Sequence, residues 1–125
     1  MAVSVPTDIK LHQQSHVLEI HFDEEVFELS CEYLRVYSPS AEVRGHGPGQ
    51  EVLQVAKEQV NIKAIEPTGN YAVKLVFDDG HDSGLYTWEL LYDLGTRQDE
   101  LWADYLDRLK KLGYERKPFE RTAGD

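Results

Sequence analysis

Tyr71-Ala72-Val73-Lys74-Leu75-Val76-Phe77-Asp78-Asp79-Gly80-His81-Asp82-Ser83-Gly84-Leu85-Tyr86-Thr87-Trp88 joins a hairpin signal to a histidine set among carboxylates. Tyr71, Val73, Leu75 and Phe77 share one face of an extended segment, because side chains alternate along a strand. Asp79-Gly80 suits a two-residue turn with positive φ at both centres, which would send the chain back through Ser83 to Tyr86. Just upstream, Val60 to Ile65 alternates in the same way, and Pro67-Thr68-Gly69-Asn70 reads as the turn between the two strands. Together these segments predict an antiparallel meander.

Further towards the N-terminus, Asp8 to Gln13 and His16 to Phe22 read as a hairpin of short strands, since Ile9 and Leu11, then Leu18 and Ile20, alternate with polar neighbours. Val26 to Leu29 is a third extended piece. Glu32 to Tyr37 has the apolar spacing of one or two helical turns, which Pro39 ends or redirects. Gly45-His46-Gly47-Pro48-Gly49 is a loop on composition alone. Downstream, a short helix runs from Gly84 or Thr87 to Leu94 with Gly95 placed to end it. A second helix starts at Thr96, with Asp99 as a capping partner, and carries Leu101, Trp102, Tyr105, Leu106, Leu109 and Leu112 up to Gly113. The expected fold is therefore α+β: an antiparallel β-sheet meander with a short central helix and two C-terminal helices packed on the sheet. Residues 1–113 make one domain, and 114–125 a flexible charged tail in which Phe119 is the residue able to dock.

A chain of 125 residues buries about two thirds of its unfolded surface and needs no disulfide or structural metal to fold. With 41% hydrophobic and 29% charged residues the composition is that of an ordinary globular protein. Thirteen basic against 23 acidic residues give a net charge of −10, which argues against nucleic acid and anionic membranes as partners. The one cysteine, Cys31, cannot form an internal bridge, and Met1 to Thr7 lacks the features of a secretory signal, so a cytoplasmic setting is expected. No run of about 18 apolar residues offers a membrane span.

His81 admits two readings. Either it meets Asp78 across the turn in an exposed hydrogen bond, or it joins Asp78, Asp79 or Asp82 around a divalent ion, a donor set that suits zinc or ferrous iron. His21-Phe22-Asp23 spells the His-x-Asp of iron(II) oxygenases, and on a strand both side chains would point the same way. A tripeptide carries little weight without the rest of that site. His12 and His16 flank a turn near His21 without ligand spacing. His46 sits in a glycine-rich loop that lacks the Lys-Ser/Thr of a phosphate loop, which leaves a recognition loop of Arg44, His46 and Gly47 as its functional reading. Cys31 reads as a small buried hydrophobe, and the aromatic residues fall at core periods.

Leu34-Arg35-Val36-Tyr37-Ser38-Pro39-Ser40-Ala41-Glu42-Val43-Arg44-Gly45-His46, Ile65-Glu66-Pro67-Thr68-Gly69-Asn70-Tyr71-Ala72-Val73, Phe77-Asp78-Asp79-Gly80-His81-Asp82-Ser83-Gly84 and Leu101-Trp102-Ala103-Asp104-Tyr105-Leu106 resemble the gamma-butyrobetaine hydroxylase-like N-terminal domain family over Ile9 to Gly113. The resemblance implies a domain found alone in small bacterial proteins of unknown function, ahead of the oxygenase domain in the hydroxylase, and beside the ATPase of a chloroplast iron-sulfur cluster carrier. In the hydroxylase three cysteines and one histidine hold zinc. The positions here that resemble them are Ser38, Ser40, Val43 and His81. Serine hydroxyls stay protonated at neutral pH and valine has no donor atom, so that zinc is not expected.

Family does not fix function. The reading is a non-catalytic binding or adaptor domain with a protein partner and no required cofactor, accessory to iron or iron-sulfur metabolism as the resemblance implies. Its rivals are an iron- or zinc-binding protein using His81 and the nearby carboxylates, and a small enzyme of unrecognised type.

Overall fold

The computed structural model describes residues 5–45 and 51–117. Its strands form two three-stranded antiparallel sheets rather than one meander, within the expected α+β class. The first contains β1 (Asp8–His12), β2 (Val17–Phe22) and β3 (Glu25–Ser30) in that order. The second contains β4 (Ile62–Thr68), β5 (Ala72–Phe77) and β6 (Leu85–Thr87). Between the sheets come the short helices α1 (Cys31–Val36) and α2 (Ala41–Arg44), and after them α3 (Trp88–Thr96) and α4 (Gln98–Leu112).

Alternation sets what each sheet buries. Leu18, Ile20, Phe22 and Leu29 from the first form a single core with Ile62, Val73, Leu75, Phe77 and Tyr86 from the second, and Tyr33, Leu34, Leu91 and Leu94 complete it from the helices. The buried tyrosines need partners for their hydroxyls. Tyr33 donates to the Leu94 carbonyl at 2.7 Å, Tyr86 to that of Leu34 at 2.6 Å and Tyr37 to that of Leu101 at 2.7 Å, so α1 is tied to α3, β6 and α4 by side chains that also fill space.

Several local expectations change in three dimensions. Strand β4 runs on through Pro67 and Thr68, whose partners are Val73 and Ala72, so the turn starts only at Gly69 and leaves Tyr71 exposed. An edge strand tolerates a proline where its missing N–H faces away from the partner. The turn after β5 has three residues: the Phe77 carbonyl accepts from Gly80 N–H at 3.3 Å, and Phe77 N–H donates to the His81 carbonyl at 3.0 Å. Only Gly80 needs a positive φ, at 90°, the arrangement of a simple turn followed by one left-handed residue. The chain then takes Ser83 and Gly84 to reach β6, which pairs with Ala72 to Lys74.

Thr87 caps α3 through its hydroxyl, but Gly95 does not end that helix and Thr96 does not cap the next. α3 continues through both residues, and α4 starts after Arg97 without a side-chain cap. The reason lies in packing. A Cβ on Gly95 would fall 2.5 to 2.8 Å from three ring atoms of Phe27, so the missing side chain is what lets α3 approach β3. Phe22, Phe27 and Tyr92 stack edge to face around this contact, with centroids 5.3 to 6.0 Å apart. Tyr105 and Leu109 of α4 are buried against Val36, Tyr37 and Leu53, and Leu101 and Trp102 reach the main core, while Leu106 and Leu112 stay exposed. Gly113 closes α4 in the left-handed conformation, as expected.

At the C-terminus the chain is anchored as far as Lys117. Arg116 pairs with both carboxylate oxygens of buried Glu32 and lies over the Trp102 ring at 5.0 Å, and the Tyr114 hydroxyl donates to Glu58 at 2.7 Å. Phe119 and the rest of the expected tail lie outside the described residues.

Gly95→Ala is expected to lower stability by about 1–3 kcal/mol through overpacking against Phe27. Pairing it with Phe27→Leu should restore part of that loss, which thermal unfolding of the single and double variants would measure.

Candidate functional site

The turn Asp78-Asp79-Gly80 delivers His81 inward rather than to solvent. Its side chain is 1% exposed, and the ring is held at both nitrogens. Nδ1 lies 3.0 Å from Glu42 Oε2, and Nε2 lies 2.8 Å from the Ser38 hydroxyl. A carboxylate only accepts, so Nδ1 carries the proton donated to Glu42. Ser38 Oγ already accepts from Ser40 N–H at 3.2 Å, which leaves its own proton to point at Nε2. Ser40 Oγ in turn shares a proton with Ser83 Oγ at 2.7 Å and caps α2 by accepting from Glu42 N–H. A Cβ on Gly84 would sit 2.5 Å from Ser38 Oγ, so this glycine admits the hydroxyl.

Hydroxyl, imidazole and carboxylate in this order form the hydrogen-bond chain of a serine hydrolase, with the burial reversed. In a working triad the hydroxyl faces substrate and the carboxylate lies beneath. Here Ser38 is fully buried, and the Glu42 side chain is 70% exposed. The array is aimed into the protein, where no substrate carbonyl can approach.

The four aspartate-histidine residues expected around a metal do not converge at the imidazole. Asp78 Oδ1 accepts from Asn61 N–H at 3.0 Å. Asp79 Oδ2 takes the Arg35 guanidinium at 3.0 Å and the Lys57 ammonium at 2.9 Å, while its Oδ1 accepts from the backbone N–H of His81. Asp82 is exposed. Neither do the positions resembling the hydroxylase's zinc ligands fit that ion: Ser38 and His81 saturate each other, Ser40 is engaged with Ser83, and Val43 is a buried hydrocarbon. Among the described residues no three His, Cys, Asp or Glu side chains are gathered to hold a metal.

Burial pushes the Asp79 carboxyl up, but the Lys57 ammonium, the His81 N–H and the Arg35 guanidinium together outweigh it and hold the group below its ordinary value of 3.8. Cys31 is buried and its thiol is pushed up to about 12, first by desolvation, which keeps it protonated and unreactive as the sequence suggests.

His21 and Asp23 are not a ligand pair. β2 stops at Phe22, Asp23 turns away with a φ of 39°, and His21 Nε2 contacts Glu19 instead. Glu19 also accepts from His12 Nε2 at 3.0 Å, and these two histidines hold its carboxyl below the ordinary value. Of the expected recognition loop, Arg44 closes α2 and is exposed, whereas His46 and Gly47 lie outside the described residues.

Arg44 borders a groove of about 330 Å³ that sequence reasoning did not find. Its floor holds Val36, Val43, Leu53 and Leu94, and its walls carry Arg97 and Arg108. The contributing residues come from α1, α2, the segment 51–54, α3 and α4. No local pattern connects them, so nothing in the sequence announces the groove.

Asp79→Asn should cost about 2 kcal/mol at neutral pH, below the roughly 3–5 of a fully buried pair because water reaches Asp79. A carboxyl whose folded pKa is depressed contributes stability above its unfolded pKa and loses it as pH falls through the folded value, so the variant should lose less stability than the parent below about pH 4. Urea unfolding at neutral and acid pH checks both signs. The triple change Ser38→Cys, Ser40→Cys and Val43→Cys should create a Cys₃His site with His81 and retain about one zinc per chain. Metal analysis after gel filtration measures it, and a zinc-free triple variant would refute the correspondence of these positions.

Comparison with known proteins agrees with the architecture. A family model described as gamma-butyrobetaine hydroxylase-like, N-terminal, matches residues 9–92. No curated protein matches. Two solution NMR structures are 55% and 50% identical, with TM-scores of 0.80 and 0.82; each alignment covers 98% of this chain, and respectively 92% and 97% of the other. A crystal structure of a protein of unknown function of the DUF971 family, from Acidithiobacillus ferrooxidans, is 35% identical over 73% of this chain and 92% of its own, with a TM-score of 0.62. The chain belongs to the gamma-butyrobetaine hydroxylase-like N-terminal family.

Proposed function

We propose that this domain is a non-catalytic binding module that engages a protein partner through the groove bordered by Arg44. One contrast supports the reading: in the array with catalytic chemistry the hydroxyl and the imidazole, Ser38 and His81, are buried and only the Glu42 carboxylate reaches solvent, while the groove is open, apolar at its base and bordered by three arginines beside Glu51 and Asp93. A catalyst needs titratable groups converging on a space where a substrate fits. Recognition needs an apolar floor with polar groups at its edge. The groove has the second character. Arg44, which borders it, is also the one described member of the expected recognition loop.

No helix among the described residues is long and apolar enough to cross a membrane. The net charge of −10 disfavours nucleic acid and leaves a protein as the partner, and the lone cysteine, Cys31, suits a cytoplasmic setting. The family's company with oxygenase and iron-sulfur proteins suggests a partner in iron chemistry, with this domain as an accessory.

Capture from the native cell, with the wild-type chain and Arg44→Glu used side by side, tests this reading. A defined protein held in near-equal amount by the wild type, and reduced at least about five-fold by the charge reversal, is the expected result. Equal capture by both chains would move the interface elsewhere.

A further inference from the structure

Three of the protein's six arginines, Arg44, Arg97 and Arg108, border one groove. Glu51 and Asp93 also line it, which leaves three positive against two negative groups on a molecule that is otherwise strongly acidic. Arg97, the residue between α3 and α4, is paired with Asp93 and Glu100, and Arg108 with Asp104, and all of these side chains are substantially exposed. Exposed pairs of this kind exchange partners at little cost. Among the described residues Arg44 joins none of the ion pairs, so its charge is available to a visitor.

The groove does not end at the helices. Arg44, Glu51 and Leu90 also border a second hollow whose other wall includes Leu85 and Thr87 of β6. β6 is hydrogen-bonded to β5 on one side, and no strand of the described residues lies on its other side. It is an edge, and edges of sheets accept extended chains through the backbone while alternate side chains enter neighbouring pockets. Leu85, 37% exposed, offers apolar surface at this edge. The continuous path from Arg108 past Leu90 and Arg44 to Leu85 thus combines an apolar track, flanking cations and an unpaired strand.

From this geometry we infer that the groove and the free edge of β6 take an extended acidic peptide segment of a protein partner, with apolar and carboxylate side chains alternating. This rests on the binding-module reading and specifies its ligand. Apolar side chains lie over Leu85, Leu90 and the groove floor, and carboxylates meet Arg44 and Arg108. The overall charge of −10 adds selectivity, because an acidic segment is disfavoured over most of such a surface and the path gathers three of the six arginines, although Glu51 and Asp93 also border it.

The test is a titration of the isotopically labelled full chain, followed by backbone amide NMR, with two synthetic hexapeptides. One alternates leucine with glutamate and the other leucine with lysine. The glutamate peptide should shift the amides of Arg44, Leu85 and Leu90 saturably, and its affinity should fall at least about five-fold between roughly 50 and 500 mM salt. The double variant Arg44→Glu, Arg108→Glu should lose it, while Lys110→Glu, outside the groove, should keep it. Equal binding of the lysine peptide, shifts confined to other surfaces, or no saturable shift would overturn the inference. If neither peptide binds but a native partner is still lost on Arg44→Glu, the acidic-strand assignment fails alone. If that partner is indifferent to Arg44, the binding reading fails with it.

Discussion

The turn from Phe77 to His81 is clamped to α1 and α2 through two buried side chains, Arg35 and His81, whose acidic partners Asp79 and Glu42 still meet water, and the placement of β6, α3 and the groove follows from it. Arg35, itself buried, reaches across from α1 to Asp79 and also donates to Gln54 Oε1 at 3.1 Å. His81 reaches Ser38 and Glu42 in and before α2. A guanidinium and an imidazole removed from water would each be costly without these partners, whereas with them the burial is tolerable. The clamp therefore selects one arrangement of turn and helices more than it adds net stability.

This clamp occupies the place that resembles a zinc site in the hydroxylase. A thiolate set binds its ion with free energy that becomes folding free energy. Hydroxyls have no such capacity, and here Ser38 and Ser40 act as hydrogen-bond donors and acceptors within a closed network. The network fixes the relative position of turn and helix by hydrogen bonds, and the shared core of two sheets supplies the stability. The hydroxyl-imidazole-carboxylate chain, buried at Ser38 and His81 and open to water at Glu42, is thus accounted for as a fastening whose polar atoms satisfy one another.

What the clamp leaves open is outside it. By fixing Pro39, α2 and β6 together, it leads Arg44 out of the core at the end of α2 and sets it opposite the helices that carry Arg97 and Arg108. Tyr37 and Tyr105 then fasten the walls, through the Leu101 carbonyl and the Gln54 carbonyl at 2.8 Å. These two bonds hold the elements that form the groove against one another, so its shape exists before any partner arrives.

The sequence by itself determined the α+β class, the strands in outline and three of the four helices, α2 being unforeseen, because alternation along β2 and β5 and three- and four-residue spacing along α4 are local consequences of which side chains must leave water. It also determined that Cys31 is buried, and that the hydroxylase's thiolates are missing. Only the tertiary structure decided that His81 turns inward, because Ser38 and Glu42 lie 43 and 39 residues away and nothing near His81 announces them. The same holds for Gly95, read locally as a helix stop but spared a side chain for the ring of Phe27. Likewise the groove exists only once α1, α2, the segment 51–54, α3 and α4 are assembled. Periodicity reports burial within an element, whereas the pairing of polar groups and the meeting of surfaces depend on distances that only the packed chain fixes.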